Sequence, residues 1–344
     1  MRIGLAVHGW YHPLSEIDTY ISSIQKALNA VGVPSERIHG RNFPHGTISQ
    51  LIVPPIVKYF LNYGDEDYDI VHDTRGDSLF NGVDVSSILD LYVYLHMTTL
   101  SEKLVRLPLK IFENYKRTLK LSKKVIVLNE GMKTEIVSYF GQRYGDKIRV
   151  IPPSFDVPLI KENREEKYDV IWVGSSAKRK NLPLFLEAVS NLPSKYKVGL
   201  RFNYINKYVS DDFKAINDAI VRLKDVGKTV DMLPPSKSWD ALENLYRSSK
   251  CLVSTSSYEG FHMPVAEAYL RGVNVVLPKN DLYQSIYGEA EGVHYYKDKK
   301  DLPTKISEAV QYGRFVHARN VVEYLSHKRV GAQLKEAYEE ALKY

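Results

Sequence analysis

Short apolar segments alternate with amphipathic stretches along the whole chain. At the N-terminus, Ile3, Leu5 and Val7 predict a buried strand, and apolar residues at helical spacing from Ile17 to Val31 predict a helix that ends near Gly32. The same alternation recurs further on, where the segments that predict strands are residues 68–72, 124–128, 147–152, 169–173, 197–202, 230–233, 251–255 and 273–277. Strands that alternate with helices predict an α/β fold.

A charged segment at residues 161–167 (KENREEK) interrupts this alternation. We place a domain boundary there and predict one domain over residues 1–160 and a second over residues 166–325. Residues 326–344 predict a terminal helix. The apolar residues that fall on one face of that helix are Val330, Leu334, Ala337, Tyr338 and Ala341.

The composition is that of a globular protein with a sizeable core: 44% of the 344 residues are hydrophobic and 26% are charged. No apolar segment approaches the roughly 20 residues that a membrane-spanning helix requires, and the N-terminal apolar segment is too short for a secretory signal. The single cysteine, Cys251, has no partner for an intrachain disulfide and fits a reducing compartment. These features predict a cytoplasmic protein.

The formal net charge is +6. Mild positive charge fits three kinds of partner, which are nucleic acid, an anionic membrane surface and phosphorylated substrates. No basic–aromatic repeat accompanies the charge, so we favour a phosphate-binding pocket over nucleic acid. Peripheral association with the inner face of a membrane stays open, and so does the oligomeric state.

The stretch from residue 251 to residue 278 carries the strongest chemical pattern. An apolar strand segment enters a polar loop, and Pro264 follows at the position of a first helical residue, where its fixed φ and missing N–H suit the helix. The predicted helix ends at Gly272, which suits a left-handed cap, and residues 273–277 predict a second strand. This β–loop–α–β order is typical of parallel sheets, which bind ligands at the carboxyl ends of their strands.

Two carboxylates flank the start of this helix. Glu259 lies in the loop, and Glu267 lies about one turn into the helix. Amides at a helix start bind anions, and carboxylates accept hydrogen bonds from hydroxyls, so the arrangement suits a sugar nucleotide. The structural alternative is that Glu259 caps the helix and Glu267 lies on a solvated face.

Three consecutive cations, Lys178, Arg179 and Lys180, follow the predicted strand at residues 169–173. They are either solvated or bind phosphate. A turn at the carboxyl end of a strand is where α/β sheets bind phosphates. There, cations would neutralise a diphosphate and stabilise it as a leaving group.

Taken together, these stretches resemble glycosyltransferase family 4, a group of retaining enzymes with the GT-B fold. The string S-x-x-E-G-F-x-x-P-x-x-E-A, followed by G-V-x-V-V, starts at Ser256 and resembles the donor-site signature of that family. The family pattern G-R-x-x-x-x-K-G/N is matched at Gly174, Lys180 and Asn181, with Ser175 in place of the arginine. The resemblance implies two Rossmann-like domains that face each other across a cleft, with the terminal helix packed back on the first domain.

The resemblance also implies roles for individual residues. The first domain would bind the acceptor and the second the nucleotide sugar. The implied catalytic residues are Lys180, Glu259 and Arg179; Glu259 would hold the sugar and Glu267 the ribose. The implied donor-binding residues are Gly174, Ser175, Lys178, Met232, Leu233, Pro234, Gly260, Phe261, His262, Met263 and Glu267. The implied acceptor-side residues are His8, Gly9, Trp10, His72 and Asp73, although a histidine at a strand end, such as His72, is more often structural.

Four positions depart from the family pattern. Glu16 and Ile17 stand where the family has paired glycines, Leu89 replaces an acceptor-side histidine, and Ser175 replaces the arginine. These departures keep a catalytically impaired sugar-nucleotide-binding protein among the alternatives. The others are a sugar-nucleotide epimerase of GT-B fold and, on charge alone, a nucleic-acid-binding protein.

We interpret the chain as a retaining glycosyltransferase that moves a sugar from a nucleoside-diphosphate sugar to an alcohol acceptor, such as a glycan, a lipid or a protein glycan. No cofactor and no metal are expected, because neither donor-site stretch has a His/Cys cluster at metal-ligand spacing. The acidic run that contains Asp65 and Asp67 has Asp-x-Asp spacing, but we interpret it as a solvated turn.

Overall fold

Two parallel sheets, each with six strands among the described residues, organise the chain. The structure is a computed structural model and describes residues 1–7, 16–39, 67–76, 82–96, 114–158, 165–175, 177–202, 210–234 and 238–344. Unit 1 comprises Met1–Asp156 and Leu325–Tyr344, and unit 2 comprises Val157–Tyr324.

Unit 1 holds strands in the spatial order β2-β1-β3-β4-β5-β6, and every adjacent pair is parallel. The strands are β1 (Ile3–Val7), β2 (Ser35–His39), β3 (Ile70–Asp73), β4 (Val85–Ile88), β5 (Lys124–Val127) and β6 (Ile148–Val150). Its first helices are α1 (Glu16–Asn29), α2 (Asn114–Leu121) and α3 (Glu130–Phe140), with a π-helical turn at Tyr92–His96 and a 3-10 helix at Gln142–Lys147. All residues of β1 and of β3 are buried, as expected for central strands of a parallel sheet covered on both faces.

Unit 2 holds strands in the order β12-β11-β10-β7-β8-β9, again with parallel neighbours. The strands are β7 (Tyr168–Gly174), β8 (Lys197–Phe202), β9 (Thr229–Leu233), β10 (Ser249–Val253), β11 (Asn274–Pro278) and β12 (Val293–Tyr296). The helices are α4 (Leu182–Ser190), α5 (Ser210–Asp225), α6 (Trp239–Arg247), α7 (Met263–Tyr269), α8 (Asp281–Tyr287), α9 (Leu302–Tyr312) and α10 (Arg319–Tyr324). A short 3-10 helix spans Lys178–Lys180.

The terminal helix, α11 (His327–Ala341), belongs to unit 1 and packs against α1. Gly331 faces α1 so closely that a Cβ at this position would overlap the backbone carbonyl of Ala27. Further along the helix, the Tyr338 hydroxyl lies 2.8 Å from Nδ1 of His72 on β3. The α/β class and the return of the terminal helix to the first domain, both predicted above, are therefore confirmed.

Helix α7 differs slightly from the prediction. The backbone N–H of Val265 donates to the carbonyl of His262, so the helix begins at Met263 and Pro264 is its second residue, not its first. The helix has seven residues and ends at Tyr269. Gly272 beyond it has a φ of 71°, the left-handed conformation that the sequence predicts for it.

No helix within the described ranges is long and apolar enough to cross a membrane.

Candidate active site

The order of the strands in unit 2 reverses between β7 and β10. From β7 the chain proceeds to β8 and β9 on one side, and from β10 to β11 and β12 on the other. In an open parallel sheet, the loops that leave the carboxyl ends of two such strands diverge and form a crevice for ligands. The loop after β7 contains Lys180, and the loop after β10 contains Glu259. The fold therefore brings the two sequence motifs to one switch point.

A buried ion-pair cluster connects the two loops. Nζ of Lys180 lies 2.6 Å from Oε1 of Glu259, and Arg179 pairs with Oε2 of the same carboxylate. Lys180 is 1% exposed and Glu259 is 8% exposed. Burial by itself would raise the pKa of Glu259, but the positive charges of Lys180 and Arg179 outweigh burial and hold that pKa well below its ordinary value. Glu259 is therefore ionised, and the alternatives of a helix-capping Glu259 and a solvated Lys180 are wrong.

Hydrogen bonds to backbone carbonyls fix the loops to each other beside this cluster. The Thr255 hydroxyl donates to the carbonyl of Lys180 at 2.9 Å, and the Ser257 N–H donates to the carbonyl of Arg179 at 2.7 Å. The Arg179 guanidinium also donates to the carbonyl of Tyr258 at 3.2 Å. These bonds fix the two loops to each other beside the charged side chains, which preorganises the site.

The turn after β7 owes its shape to Asn181. This residue has φ 47° and ψ 49°, the left-handed conformation, which among the described residues no other non-glycine residue adopts. Glycine and asparagine tolerate this conformation best, which explains why either residue fits the position after the lysine. Asn181 precedes Leu182, the first residue of α4, so the left-handed residue turns the chain from the 3-10 helix into α4.

Glu267 is also buried, at 4% exposure, so the solvated-face alternative is wrong for it as well. The Tyr246 hydroxyl on α6 donates to Oε2 of Glu267 at 2.7 Å. Burial and the negative charge of Glu267 raise the pKa of Tyr246 well above its ordinary value, which keeps the hydroxyl protonated and able to donate. Arg201, near the end of β8, is buried close enough to Glu267 for the negative charge of that carboxylate to act on it, although burial outweighs this charge and lowers the pKa of Arg201. Sequence reasoning missed Tyr246 and Arg201, because neither stands in the motif that contains Glu267.

His262 lies at the start of α7 and is 5% exposed. Its Nδ1 is 2.9 Å from the Tyr283 hydroxyl and 3.1 Å from the Ser254 hydroxyl. Burial lowers the pKa of His262 to about 3, so the ring is neutral near pH 7. Its Nε2 has no hydrogen-bond partner among the described residues and lies 4.0 Å from Oε1 of Glu259.

The other predicted donor-binding residues take four kinds of position. Gly174 is buried at the end of β7, where a Cβ would come within 2.9 Å of the Trp172 ring, and Ser175 beside it is half-buried. Lys178 is exposed on the turn. Three residues lie at the end of the edge strand β9, two strands away from β7: Met232, Leu233 and Pro234. The last three lie buried between β10 and α7 or at its start: Gly260, Phe261 and Met263.

Of the predicted acceptor-side residues, His72 and Asp73 lie within the described ranges. His8, Gly9 and Trp10 lie outside the described residues. Asp73 is buried and accepts a hydrogen bond from the N–H of Arg75. His72 is 0% exposed, and its ring nitrogens lie 2.8 Å from the hydroxyls of Tyr338 and Ser87. Burial lowers its pKa to about 4, and this geometry favours the structural interpretation of His72.

Among the residues that the structure describes, no group of three or more His, Cys, Asp or Glu residues is placed to bind a metal ion. In the acidic run, Asp65 lies outside these residues, and Asp67 is exposed.

Comparison with known proteins identifies a family for the second unit. Residues 158–324 match the family model of the glycosyl transferases group 1, a segment that nearly coincides with unit 2. No curated protein matches the sequence significantly.

Many solved structures share the fold. Sucrose-phosphate synthase from Thermosynechococcus elongatus superposes with a TM-score of 0.70 at 16% identity, over 98% of each chain. HepE of Anabaena in complex with UDP and glucose gives a TM-score of 0.66 at 15% identity, over 98% of each chain. HepE in complex with UDP-glucose gives 0.64 at 14% identity, over 100% of this chain and 98% of HepE. At these identities the likeness establishes the fold, which is the GT-B fold of two Rossmann-like domains.

Proposed function

Because its second unit belongs to the group 1 glycosyl transferases, we propose that this chain is a retaining glycosyltransferase. It moves a sugar from a nucleoside-diphosphate sugar to an alcohol acceptor, which is a glycan or a lipid. The observation that carries the proposal is the buried cluster of Lys180, Arg179 and Glu259 at the switch point of the sheet.

The charge of this cluster suits a diphosphate. Lys180 and Arg179 contribute two positive charges and Glu259 one negative charge, which leaves one net positive charge. In a buried site this charge is only weakly screened, so it attracts a diphosphate strongly. The attraction grows as the bond between sugar and diphosphate breaks, because negative charge then accumulates on the leaving oxygen. The two cations therefore supply stabilisation that a metal ion would otherwise provide, and we propose a metal-independent reaction.

The carboxylates divide the donor between them in this proposal. Glu259 binds hydroxyls of the transferred sugar, and Glu267, held by Tyr246, binds the ribose. In the reaction, the bond from the anomeric carbon to the diphosphate breaks, and a bond to the acceptor oxygen forms on the same face of the sugar. The acceptor proton passes to the leaving phosphate oxygen, so no enzymic nucleophile is required.

Unit 1 binds the acceptor in this proposal. UDP is the first nucleotide to test, because HepE, which shares the fold, has been crystallised with UDP and with UDP-glucose. An acceptor anchored in a membrane would bring this basic chain to the anionic inner surface from the cytoplasm.

A panel of nucleotide sugars tests the proposal. The full chain is titrated calorimetrically with UDP-, GDP-, ADP- and dTDP-sugars, and each donor that binds is then incubated with and without simple glycosides as acceptors. We expect one donor to bind and to yield a glycoside with retained anomeric configuration. Conversion of the donor to its epimer without acceptor would establish an epimerase instead, and binding without any turnover would establish a catalytically impaired binding protein.

A further inference from the structure

Three polar atoms meet among buried residues of unit 2, at the start of α7. Nδ1 of His262 lies 2.9 Å from the Tyr283 hydroxyl and 3.1 Å from the Ser254 hydroxyl, and the two hydroxyls lie 3.0 Å apart. Each atom is thus within hydrogen-bond distance of the other two. All three residues are buried.

The number of hydrogens in this triangle decides the tautomer of His262. Each hydroxyl carries one hydrogen, and each edge of the triangle holds at most one. If Nδ1 accepts, one hydroxyl donates to Nδ1 and the second hydroxyl donates to the oxygen of the first. If Nδ1 carried a hydrogen, neither hydroxyl could donate to it, and the hydrogens of both hydroxyls would compete for the one edge between them. The triangle therefore favours an accepting Nδ1, and the neutral ring carries its hydrogen on Nε2.

This assignment leaves a buried donor without an acceptor. Nε2 of His262 has no hydrogen-bond partner among the described residues, although buried donors in folded proteins are almost always paired. The nearest charged acceptor is Oε1 of Glu259, at 4.0 Å, which is too long for a direct hydrogen bond. Oε1 already accepts from Lys180, and a carboxylate oxygen has a second lone pair to offer.

We propose that Nε2–H of His262 and Oε1 of Glu259 together bind one hydroxyl of the transferred sugar, and that His262 is a specificity-determining residue. This inference rests on the proposed function. A hydroxyl both donates and accepts, so it satisfies both groups at once: it accepts from Nε2–H and donates to the carboxylate. For an oxygen at hydrogen-bond distance from both atoms, the angle at that oxygen between Nε2 and Oε1 would be about 90°, which a hydroxyl tolerates.

The chemistry of the pair selects among oxygen groups. A phosphate oxygen would accept from His262 but would lie against the Glu259 carboxylate, where the two negative charges repel. A sugar position that lacks the hydroxyl would leave both groups unpaired in a buried site, which strongly disfavours deoxy sugars. The pair therefore requires a free hydroxyl on the sugar part of the donor.

Matched variants and donors test the proposal. The wild-type chain is titrated with the tightest-binding nucleotide sugar of the panel, with each monodeoxy analogue of that sugar and with the bare nucleoside diphosphate. His262→Leu removes the Nε2–H hydrogen-bond donor. His262→Gln retains an N–H donor at a similar distance from the backbone. The control is His294→Leu on β12, because His294 also has a buried Nε2 without a hydrogen-bond partner among the described residues but lies on the edge strand of the sheet.

We expect one deoxy analogue to bind the wild type at least about tenfold more weakly than the parent donor. His262→Leu should weaken the binding of the parent donor about tenfold and reduce the difference in affinity between the parent donor and that analogue. The affinity for the bare nucleoside diphosphate should not change. His262→Gln should restore most of the difference, and His294→Leu should behave as the wild type. The proposal would be overturned if His262→Leu still discriminated between the parent donor and the analogue as the wild type does. It would also be overturned if His262→Leu lost as much affinity for the bare nucleoside diphosphate as for the parent donor, since His262 and Glu259 would then not bind the sugar.

A second measurement needs no variant. In the wild type labelled with 15N-histidine, nuclear magnetic resonance should identify His262 as the Nε2–H tautomer, and the Nε2 signal should shift on addition of the intact donor but not of the bare nucleoside diphosphate. An Nδ1–H tautomer, or no shift with the intact donor, would contradict the proposal. Failure of the wild type to bind any nucleotide sugar would instead overturn the proposed function, which separates the two failures.

Discussion

Nζ of Lys180 lies 2.6 Å from Oε1 of Glu259, although 79 positions of sequence separate the two residues. Both side chains are buried. The contact arises because β7 and β10 are neighbours in the sheet, so the loops that follow them leave side by side. A buried ion pair contributes little net stability, because desolvation offsets most of the Coulomb attraction. Its position at the switch point fits a role in binding a charged ligand.

Lys180→Ala should reduce turnover at least about tenfold, and more than it reduces the affinity for the donor, because the charge on the leaving diphosphate grows as the bond breaks. Steady-state kinetics and calorimetric titration of the donor measure the two effects separately.

The same substitution leaves the buried Glu259 carboxylate with only one of the two cations that pair with it. Removal of one partner from a buried pair destabilises a protein by about 3–5 kcal/mol, and the remaining pairing with Arg179 should place this variant at the lower end. Kinetics are therefore measured where circular dichroism shows the variant folded, with the exposed Lys195→Ala as control. Turnover within about twofold of the wild type in a folded variant would refute the assignment of Lys180 to the diphosphate.

Glu259→Gln and Glu267→Gln should fail in different ways. Glu259→Gln should lose discrimination between donors that differ at a sugar hydroxyl, and Glu267→Gln should weaken binding of the bare nucleoside diphosphate, which contains ribose but no transferred sugar. Tyr246→Phe removes the hydroxyl that holds Glu267 and should weaken the bare nucleotide as well, though less. Titration of each variant with both ligands is the measurement. Equal weakening of the bare nucleotide by both glutamine variants would contradict the division of roles.

Exhaustive chelation should leave the activity near its starting value, because in the proposed function Lys180 and Arg179, which pair with Glu259, supply the positive charge beside the diphosphate. The assay compares product formation before chelation, after treatment with EDTA and after addition of Mg²⁺ or Mn²⁺. Loss of activity with EDTA and recovery with either ion would show that the reaction depends on a metal, and would direct attention to Asp65 and Asp67.

Gly331→Ala should destabilise unit 1 by about 1–3 kcal/mol, since the added methyl group would overlap the carbonyl of Ala27 and force α11 away from α1. Without this packing, alanine would instead stabilise the helix relative to glycine. Gly145→Ala is a matched control, because a Cβ there meets only Val137 at 3.8 Å. Chemical denaturation gives the free energy of unfolding of both variants. Equal stabilities would mean that α11 does not pack against α1 as closely as described.

Acid should destabilise the fold through His72. Its folded-state pKa is about 4, below the ordinary value of 6.5, so between these values the unfolded chain binds a proton that the folded chain does not. The contribution of His72 to stability is present in full above pH 6.5 and declines as the pH falls towards 4, by roughly 3 kcal/mol in total. The free energy of unfolding, measured from pH 7 to pH 4, should therefore fall less steeply in His72→Gln. Parallel curves would show that His72 is not buried in its neutral form.

Periodicity and motif spacing were sufficient to predict much of the molecule. Short apolar segments predicted β7, β8, β10 and β11 to within about two residues, because a strand buried on both faces is recognisable from its own residues. The left-handed conformation of Gly272 could be predicted equally well, since it depends only on the residue itself and on its place at the end of a helix. The long motif around Glu259 indicated the family, and the fold then followed.

Contacts between distant segments depended on the order of the strands and on the packing of helices, which no local pattern records. The sequence placed Lys180 and Glu259 at one site but did not show that they pair directly. Likewise, Tyr246 and Arg201 lie outside every motif, and only packing brings them to Glu267. His72 matched a family pattern, yet its partner Tyr338 stands 266 positions away on a helix that returns to unit 1. The chemical types of the site residues were thus encoded locally, while the protonation state, burial and partners of each were decided by the tertiary structure, because these depend on neighbours that are remote in sequence.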